Sequence, residues 1–284
     1  MAVIEHLDLT DNHFLLKFRS EVQITNNFHG HKGMEFMYIY QGKGNLMLDS
    51  RMHEFKSGHL ICFQPFQLHR IQQDITTDYI RSYVVFEPSL FDTYLAPFPV
   101  LRSFFHHMWK DQLSNQIFAL DEEHPLVLLY EELHERCQKV PAASLAEEYG
   151  LFFVRFLCHL RPIWSEYDTI DCTSIRSLNH AEHIMDWVEK HYQEPFSIHE
   201  LAKQLHLSPK HISSLFKQKT GGTITDYLMA KRLNQACLLL KTSSKPIGEL
   251  CFECGFTNLS YFCQFFKKKM SITPYQYRKQ FLEL

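Results

Sequence analysis

The stretch IGELCFECGFTNLSYFCQFFKKKMSITPYQYRK (247–279) decides the reading of this chain, because it repeats an earlier one, SIHELAKQLHLSPKHISSLFKQKTG (197–221). Ile247, Leu250, Cys251 and Cys254 lie 49 positions after Ile198, Leu201, Ala202 and Leu205. Phe262, Phe265, Phe266 and Lys267 lie 50 positions after Ile212, Leu215, Phe216 and Lys217. In each copy the apolar positions recur at the three- and four-residue spacing of an amphipathic helix. Ser197 is a natural N-cap with Glu200 three residues on, a capping-box arrangement. Ser208-Pro209 supplies the N-cap and first position of the next helix, and Asn258 replaces Ser208 at the same offset. Thr220-Gly221-Gly222 ends that helix, and the one-residue change of offset falls in the turn between the helices. Two short helices joined by a tight turn, present twice, predict two helix-turn-helix units. A longer helix around 224–240 joins them, and a further helix starting at Ala181 precedes them and is ended by Pro195.

The competing reading is a plain helical bundle with an accidental repeat. The polar positions distinguish the two. On the second helix of the first copy the apolar stripe leaves Lys210, Ser213, Ser214 and Lys217 outward, and the same offset gives Ser260, Cys263, Gln264 and Lys267. Short hydroxyls, an amide and lysines suit a surface that enters a major groove. An ordinary solvated helix face more often carries Glu and longer charge pairs.

Residues 196–279 resemble the DNA-binding domain of the AraC/XylS family of bacterial regulators. The resemblance is carried by SPKHISSLFKQKTG (208–221), DYLMAKRLNQACLLL (226–240) and the pairs Gly255-Phe256, Tyr261-Phe262, Phe266-Lys267, Thr273-Pro274 and Tyr277-Arg278. It implies seven helices and two recognition helices in successive major grooves of double-stranded DNA. By position, Lys210, Ser213 and Ser214 of the first unit and Leu259, Ser260, Cys263 and Gln264 of the second would face base edges. Lys217, Lys267 and Lys268 would hold phosphates, which position without specifying. The chain departs from the family at Ser271, where Gly is usual, and at Cys251, where Ala is common. The Cys251-x2-Cys254 pair with Cys263 nearby invites a zinc reading, but both cysteines lie on the apolar stripe and no His completes a zinc-finger spacing. Buried small residues are the better account.

The first part of the chain reads differently. In 13–86 short apolar runs (EFMYIY, NLMLD, HLICF, YIRSYVVF) alternate with turn signals such as QGKG and KSG, which predicts a barrel or sandwich of short strands. Segments 98–110, 122–138 and 145–160 then take a helical period. Leu126, Leu129, Tyr130, Leu133, Phe152, Phe153, Phe156 and Leu157 are available either for a homodimer interface or for packing on the barrel. The polar stretch 165–179 has no usable period. The expected organisation is therefore an α+β chain of two domains. A cupin-like β-barrel with following helices spans 1–167, and a linker spans 168–179. An all-α domain of two helix-turn-helix units joined by a long helix spans 180–284.

His29-Gly30-His31, Glu35 and Gly42 resemble the first motif of the cupin barrel, and 58–69 resembles the second imperfectly, with Gln67 where glycine is usual. Together they look like the sensor domain of AraC-type regulators. In an extended segment His29, His31 and Glu35 share one face. In metal cupins the positions of His29, His31, Glu35 and His69 hold a divalent metal. Regulators of this type generally use the cup for a small organic effector without a metal. The resemblance therefore implies these four as effector-binding residues and no cofactor. Polar groups there suit a hydroxylated molecule such as a sugar.

Composition fits both halves. The 284 residues are 45% hydrophobic and 14% aromatic, enough to bury a core in each of two domains. From residue 180 onward 14 Lys and Arg face 9 Asp and Glu, while the preceding part carries 15 against 23, so an anionic partner is expected for the C-terminal part. No apolar run of 18 residues predicts a membrane span. The start lacks the pattern of an export signal, and eight scattered cysteines fit reduced thiols in a cytoplasm. The expected function is a ligand-responsive, sequence-specific transcriptional regulator, an activator working with RNA polymerase, and not an enzyme. The alternative is a metal-dependent cupin enzyme carrying a DNA-binding module.

Overall fold

A computed structural model describes residues 14–21, 30–48, 51–167, 179–220, 222–270 and 272–282. The chain divides into two compact units between residues 178 and 179. Of the expected linker only Asn179 is described; His29, Cys172 and Ser271 lie outside the described residues.

The first unit begins with seven strands: β1 (Phe14–Ser20), β2 (Met34–Gln41), β3 (Lys43–Leu48), β4 (Arg51–Lys56), β5 (His59–Phe63), β6 (His69–Gln73) and β7 (Ile80–Phe86). They form two antiparallel sheets, ordered β1-β7-β2-β5-β8 and β4-β3-β6, where β8 (Ile117–Ala119) pairs with β5. The sheets meet through Phe55 and Tyr79, 6.0 Å apart, and through Phe63 stacked on His69 at 4.0 Å. β2 is central, and both of its faces are covered. Phe36 and Tyr38 turn toward the helices, and Glu35, Met37 and Ile39 turn toward the other sheet, as the two-residue strand period requires. β8 was not expected: three residues between polar flanks give no periodicity to read.

The helices are α1 (Pro88–Phe91), α2 (Pro99–Lys110), α3 (Pro125–Lys139) and α4 (Leu145–Tyr167), with a 3₁₀ turn at Asp92–Leu95. They cover the outer face of the five-stranded sheet with an aromatic core in which Phe86 meets Phe36, Phe91, Phe105 and Phe153. The eight apolar residues that left dimer and barrel packing open are all buried within this core. As a dimer face they are therefore ruled out, because their area is already removed from water. α4 continues past the expected end at 160, through Pro162. An interior proline costs about 3 kcal/mol. Here the fully buried Trp164 offsets it, packed on Phe118 at 4.8 Å and Phe104 at 5.8 Å.

The second unit has seven helices among its described residues: α5 (His180–His191), α6 (Ile198–Gln204), α7 (Pro209–Thr220), α8 (Ile224–Thr242), α9 (Ile247–Glu253), α10 (Leu259–Met270) and α11 (Pro274–Leu282). Ser197 Oγ accepts from Glu200 N, Ser208 Oγ from His211 N and Asn258 Oδ1 from Tyr261 N, so the expected caps form. Two full capping boxes stand elsewhere, at Asn179 with Glu182 and at Thr223 with Asp226. The repeat is structural. Leu201 and Leu250, Ala202 and Cys251, Ile212 and Phe262, and Phe216 and Phe266 are buried pairwise. The turns match as well: Leu207 N donates to Ala202 O, and Phe256 N to Cys251 O. No described helix is long and apolar enough to cross a membrane.

Candidate functional sites

In the second unit α7 and α10 are each twelve residues long, packed against α6 and α9 by one stripe and open on the other. Lys210, Ser213, Ser214 and Lys217 recur along α7 at three- and four-residue steps and are exposed. Leu259, Ser260, Gln264, Lys267 and Lys268 are exposed on α10, while Cys263 is half-buried against the core of the second unit. Ser213 Oγ donates to Pro209 O at 2.9 Å, which keeps its lone pairs for a partner outside the helix. The last turns carry Lys217 and Lys219 in α7 and Lys267, Lys268 and Lys269 in α10, favourable against the negative helix end. The two faces thus present the same chemistry: hydroxyls or an amide in the middle, lysines at the end.

The cysteines nearby serve the core. Cys251 and Cys254 are buried, and burial pushes the Cys254 thiol up to about 12 and Cys251 upward. A thiol held protonated is a poor metal ligand. Among the described residues the only cluster with metal-ligand chemistry lies in the first unit.

That cluster joins Glu35 at the start of β2, His69 at the start of β6, and His31 in the segment leading into β2. All three are buried, and one donor atom from each lies within 4.8 Å of the others. His31 Nε2 is 2.8 Å from Glu35 Oε2, and its Nδ1 donates to the Gly33 carbonyl at 2.9 Å. His69 Nδ1 donates to the Gln67 carbonyl at 2.9 Å. The His31 and His69 rings meet edge to face at 5.6 Å. Sequence reading grouped these three; His29, the fourth, falls outside the described residues.

The turn that delivers His69 is where the second cupin motif departs from its usual form. Phe66 adopts a φ of 60° and its N–H donates to His31 O at 2.7 Å, tying the two motifs together. Gln67 replaces the usual glycine with a buried amide pair. Its Nε2 donates to Gln116 Oε1 at 3.0 Å, and Gln116 Nε2 donates back to Gln67 Oε1 at 2.8 Å and to Cys62 O at 2.8 Å. Gln64 Nε2 donates to Met108 O and Asp111 O, both at 2.9 Å, at the end of α2. The turn is therefore bolted to α2 and to the residue just before β8.

Further along the same interior, Arg81 is buried with its guanidinium carbon 5.3 Å from the Tyr79 ring and 5.2 Å from the Tyr83 ring. Burial raises the Tyr79 hydroxyl to about 12, with Arg81 acting to lower it. Sequence reading passed over this trio. The signal was present: in YIRSYVVF, residues 79, 81 and 83 share a parity, and an arginine in an apolar strand is a buried polar group that needs an explanation.

Two family profiles match the chain. Residues 16–152 match the AraC-like ligand binding domain, and residues 201–280 match a helix-turn-helix domain. The HTH-type transcriptional activator RhaR of Mannheimia succiniciproducens is 22% identical over 259 residues, covering 90% of this chain and 88% of that protein. An uncharacterized HTH-type transcriptional regulator of Escherichia coli, YijO, is 34% identical over 110 residues, 38% of each chain. Among solved structures, apo ToxT from Vibrio cholerae superposes with a TM-score of 0.52 at 13% identity, over 96% of this chain and 99% of that one, a likeness of fold.

Proposed function

From the premise that this chain belongs to the AraC family of transcriptional regulators, we propose how its two units divide the work of an effector-responsive DNA-binding protein. α7 and α10 enter successive major grooves of a duplex. Lys210, Ser213, Ser214, Leu259, Ser260, Cys263 and Gln264 face base edges, and Lys217, Lys267 and Lys268 hold phosphates. Leu259 suits a thymine methyl and Gln264 an adenine edge. The observation that carries this reading is the repeated exposed face, with the same residue chemistry at the same steps on two helices whose buried faces also correspond.

The interior of the first unit binds the effector. His31, Glu35 and His69 form one end of that site, and Arg81, Tyr79 and Tyr83 line the other; His29, which the sequence motif adds to the effector-binding set, lies outside the described residues. Such polar groups suit a small oxygen-rich molecule, a carbohydrate among them. The effector acts by binding one arrangement of the protein better than another. Activation through RNA polymerase follows the activators among the relatives, and the setting is cytoplasmic. A homodimer would use exposed residues such as Leu128 and Leu151, since their neighbours on α3 and α4 are buried.

The test is binding to DNA fragments selected from the source genome by the purified chain. Lys210→Ala and Gln264→Ala each weaken the selected site by about 1–3 kcal/mol, while scrambled DNA is affected far less. Parent-like binding by both variants would show that these are not the reading positions.

A further inference from the structure

The sheet β4-β3-β6 has two faces. Leu46, Phe55 and Ile71 of one face are buried, and Phe55 meets Tyr79 of the other sheet. The residues between them stand on the outer face, by the two-residue strand period. On that face Lys43 lies opposite Lys56, and Asn45 lies opposite Glu54 on one side and Gln72 on the other. Asp74 follows β6, and its N–H donates to Lys43 O at 2.9 Å. These six residues line a groove of about 810 Å³. Sites for small molecules span about 300–1,000 Å³. The groove is separate from the histidine cluster, because His69 opens β6 while Gln72 and Asp74 lie at its far end.

The lining selects a class of ligand. Two ammonium groups, two carboxylates and two amides have formal charges that cancel, so net charge draws in neither a cation nor an anion. Donors and acceptors stand side by side instead. A hydroxyl donates one hydrogen and accepts through two lone pairs, so it needs both kinds of partner. Lys43 Nζ is 3.7 Å from Asp74 Oδ2, which is an ion pair too long for a hydrogen bond. Among the described residues the side chains of Asn45, Glu54, Lys56 and Gln72 make no hydrogen bond or ion pair, although they are neighbours on one face. His59, at the start of β5, also lines the groove. Its Nδ1 is covered and has no hydrogen-bond partner, and burial, with Lys56, lowers its pKa, so the ring is neutral at pH 7.

The plain reading is an outer face kept polar, with lysine guarding an edge strand against pairing with another sheet. It accounts for Lys56 on the edge strand β4. It does not account for Lys43 directly opposite, on the central strand β3, where like charges repel. Nor does it account for a groove at that place.

We propose that this groove is a second ligand site, on the outside of the first unit, for a neutral polyhydroxylated molecule of the saccharide class. Asn45 and Gln72 each offer a donor and an acceptor to its hydroxyls, Glu54 accepts from them and Lys56 donates to them. The proposal does not rest on the reading of the interior as the effector site.

The test uses the full chain and saturation-transfer difference NMR, with glucose, maltose, lactose and sucrose as probes. Gluconate and glucosamine are the anionic and cationic comparisons. At least one neutral probe gives saturable transfer and shifts the His59 ring signals, which are identified by their loss in His59→Gln. Neither charged comparison binds more tightly than the neutral probes. Asn45→Ala and Glu54→Ala, both at exposed positions, each weaken the bound probe about fivefold or more, as the loss of one hydrogen bond requires. Far-ultraviolet circular dichroism checks that both variants fold. Three results would overturn the proposal: no saturable transfer from any neutral probe, tighter binding of gluconate or glucosamine, or parent-like affinity in both folded variants, which would place the probe in the interior instead. The DNA measurements above are made without saccharide, so their failure would leave this titration untouched, and the reverse also holds.

Discussion

His206 and Gly255 stand 49 positions apart, at the same point of the two inter-helix turns, and both have positive φ, 54° and 84°. Glycine adopts this region freely, whereas an L side chain loses roughly 1–2 kcal/mol there. A Cβ on Gly255 would also sit 2.5 Å from the Tyr192 carbonyl oxygen and 2.9 Å from Arg232 Nε. Arg232 is committed at that spot, donating to the carbonyls of Tyr192 and Glu194 at 2.7 Å each. Gly255→Ala should therefore destabilise the second unit by about 2–4 kcal/mol, strain and overlap together. His206→Gly should leave stability within about 1 kcal/mol of the parent, because relief of strain is countered by the freer unfolded chain. Chemical denaturation followed by circular dichroism checks both, and equal effects at the two positions would refute the account. The offset changes just after this point, where Thr257 is the extra residue between Phe256 and Asn258.

At the scale of elements, the 3₁₀ turn and α2 are clamped by Asp92. Its carboxylate accepts from Arg102 Nε and Nη2 at 2.9 and 2.6 Å and from His106 Nε2 at 2.8 Å. The hydrogen bonds from Arg102, outweighing burial and helped by His106, lower its pKa from 3.8 to about 2. The depressed folded value means that the clamp contributes fully above the unfolded pKa and is lost as pH falls through the folded one. Asp92→Asn should lower the melting temperature at pH 7, with the gap to the parent closing between about pH 4 and pH 2. A gap independent of pH would show that charge is not involved. This clamp was not legible beforehand, since Asp92 and Arg102 lie on different elements and no period links them. The helices of the second unit were legible because their caps and stripes are local, as at Ser208-Pro209. The run of α4 past Pro162 was not, because the burial of Trp164 that sustains it depends on Phe104 and Phe118. The histidine cluster was readable as a motif, but Gln67, in the turn that carries His69, depends on Gln116, 49 residues away in the chain.

For the whole molecule, charge separates the tasks. The C-terminal part is the basic one, and three lysines of α7 and α10 are assigned to phosphates. Each neutralised phosphate contributes about −0.9 to the slope of log K against log salt, so a slope near −3 or steeper is expected for the cognate site. Removing Lys267 and Lys268 together should make it shallower by about 2, with little change in which sequence is preferred. Fluorescence anisotropy over a salt series reads both quantities, and a flat response would exclude the phosphate role.

β2 is lined on one side by Glu35 and Met37 and on the other by Phe36 and Tyr38, whose backbone and hydroxyl are tied to Tyr130 and Leu120. With a side-chain repeat of two, the strand behaves as a zipper that has only one correct tooth. Inserting or deleting one residue there would turn the carboxylate into the aromatic layer and a phenylalanine into the cup. Length variation among descendants of this chain is thereby confined to places such as the exposed 75–78 bend, where no such inversion follows.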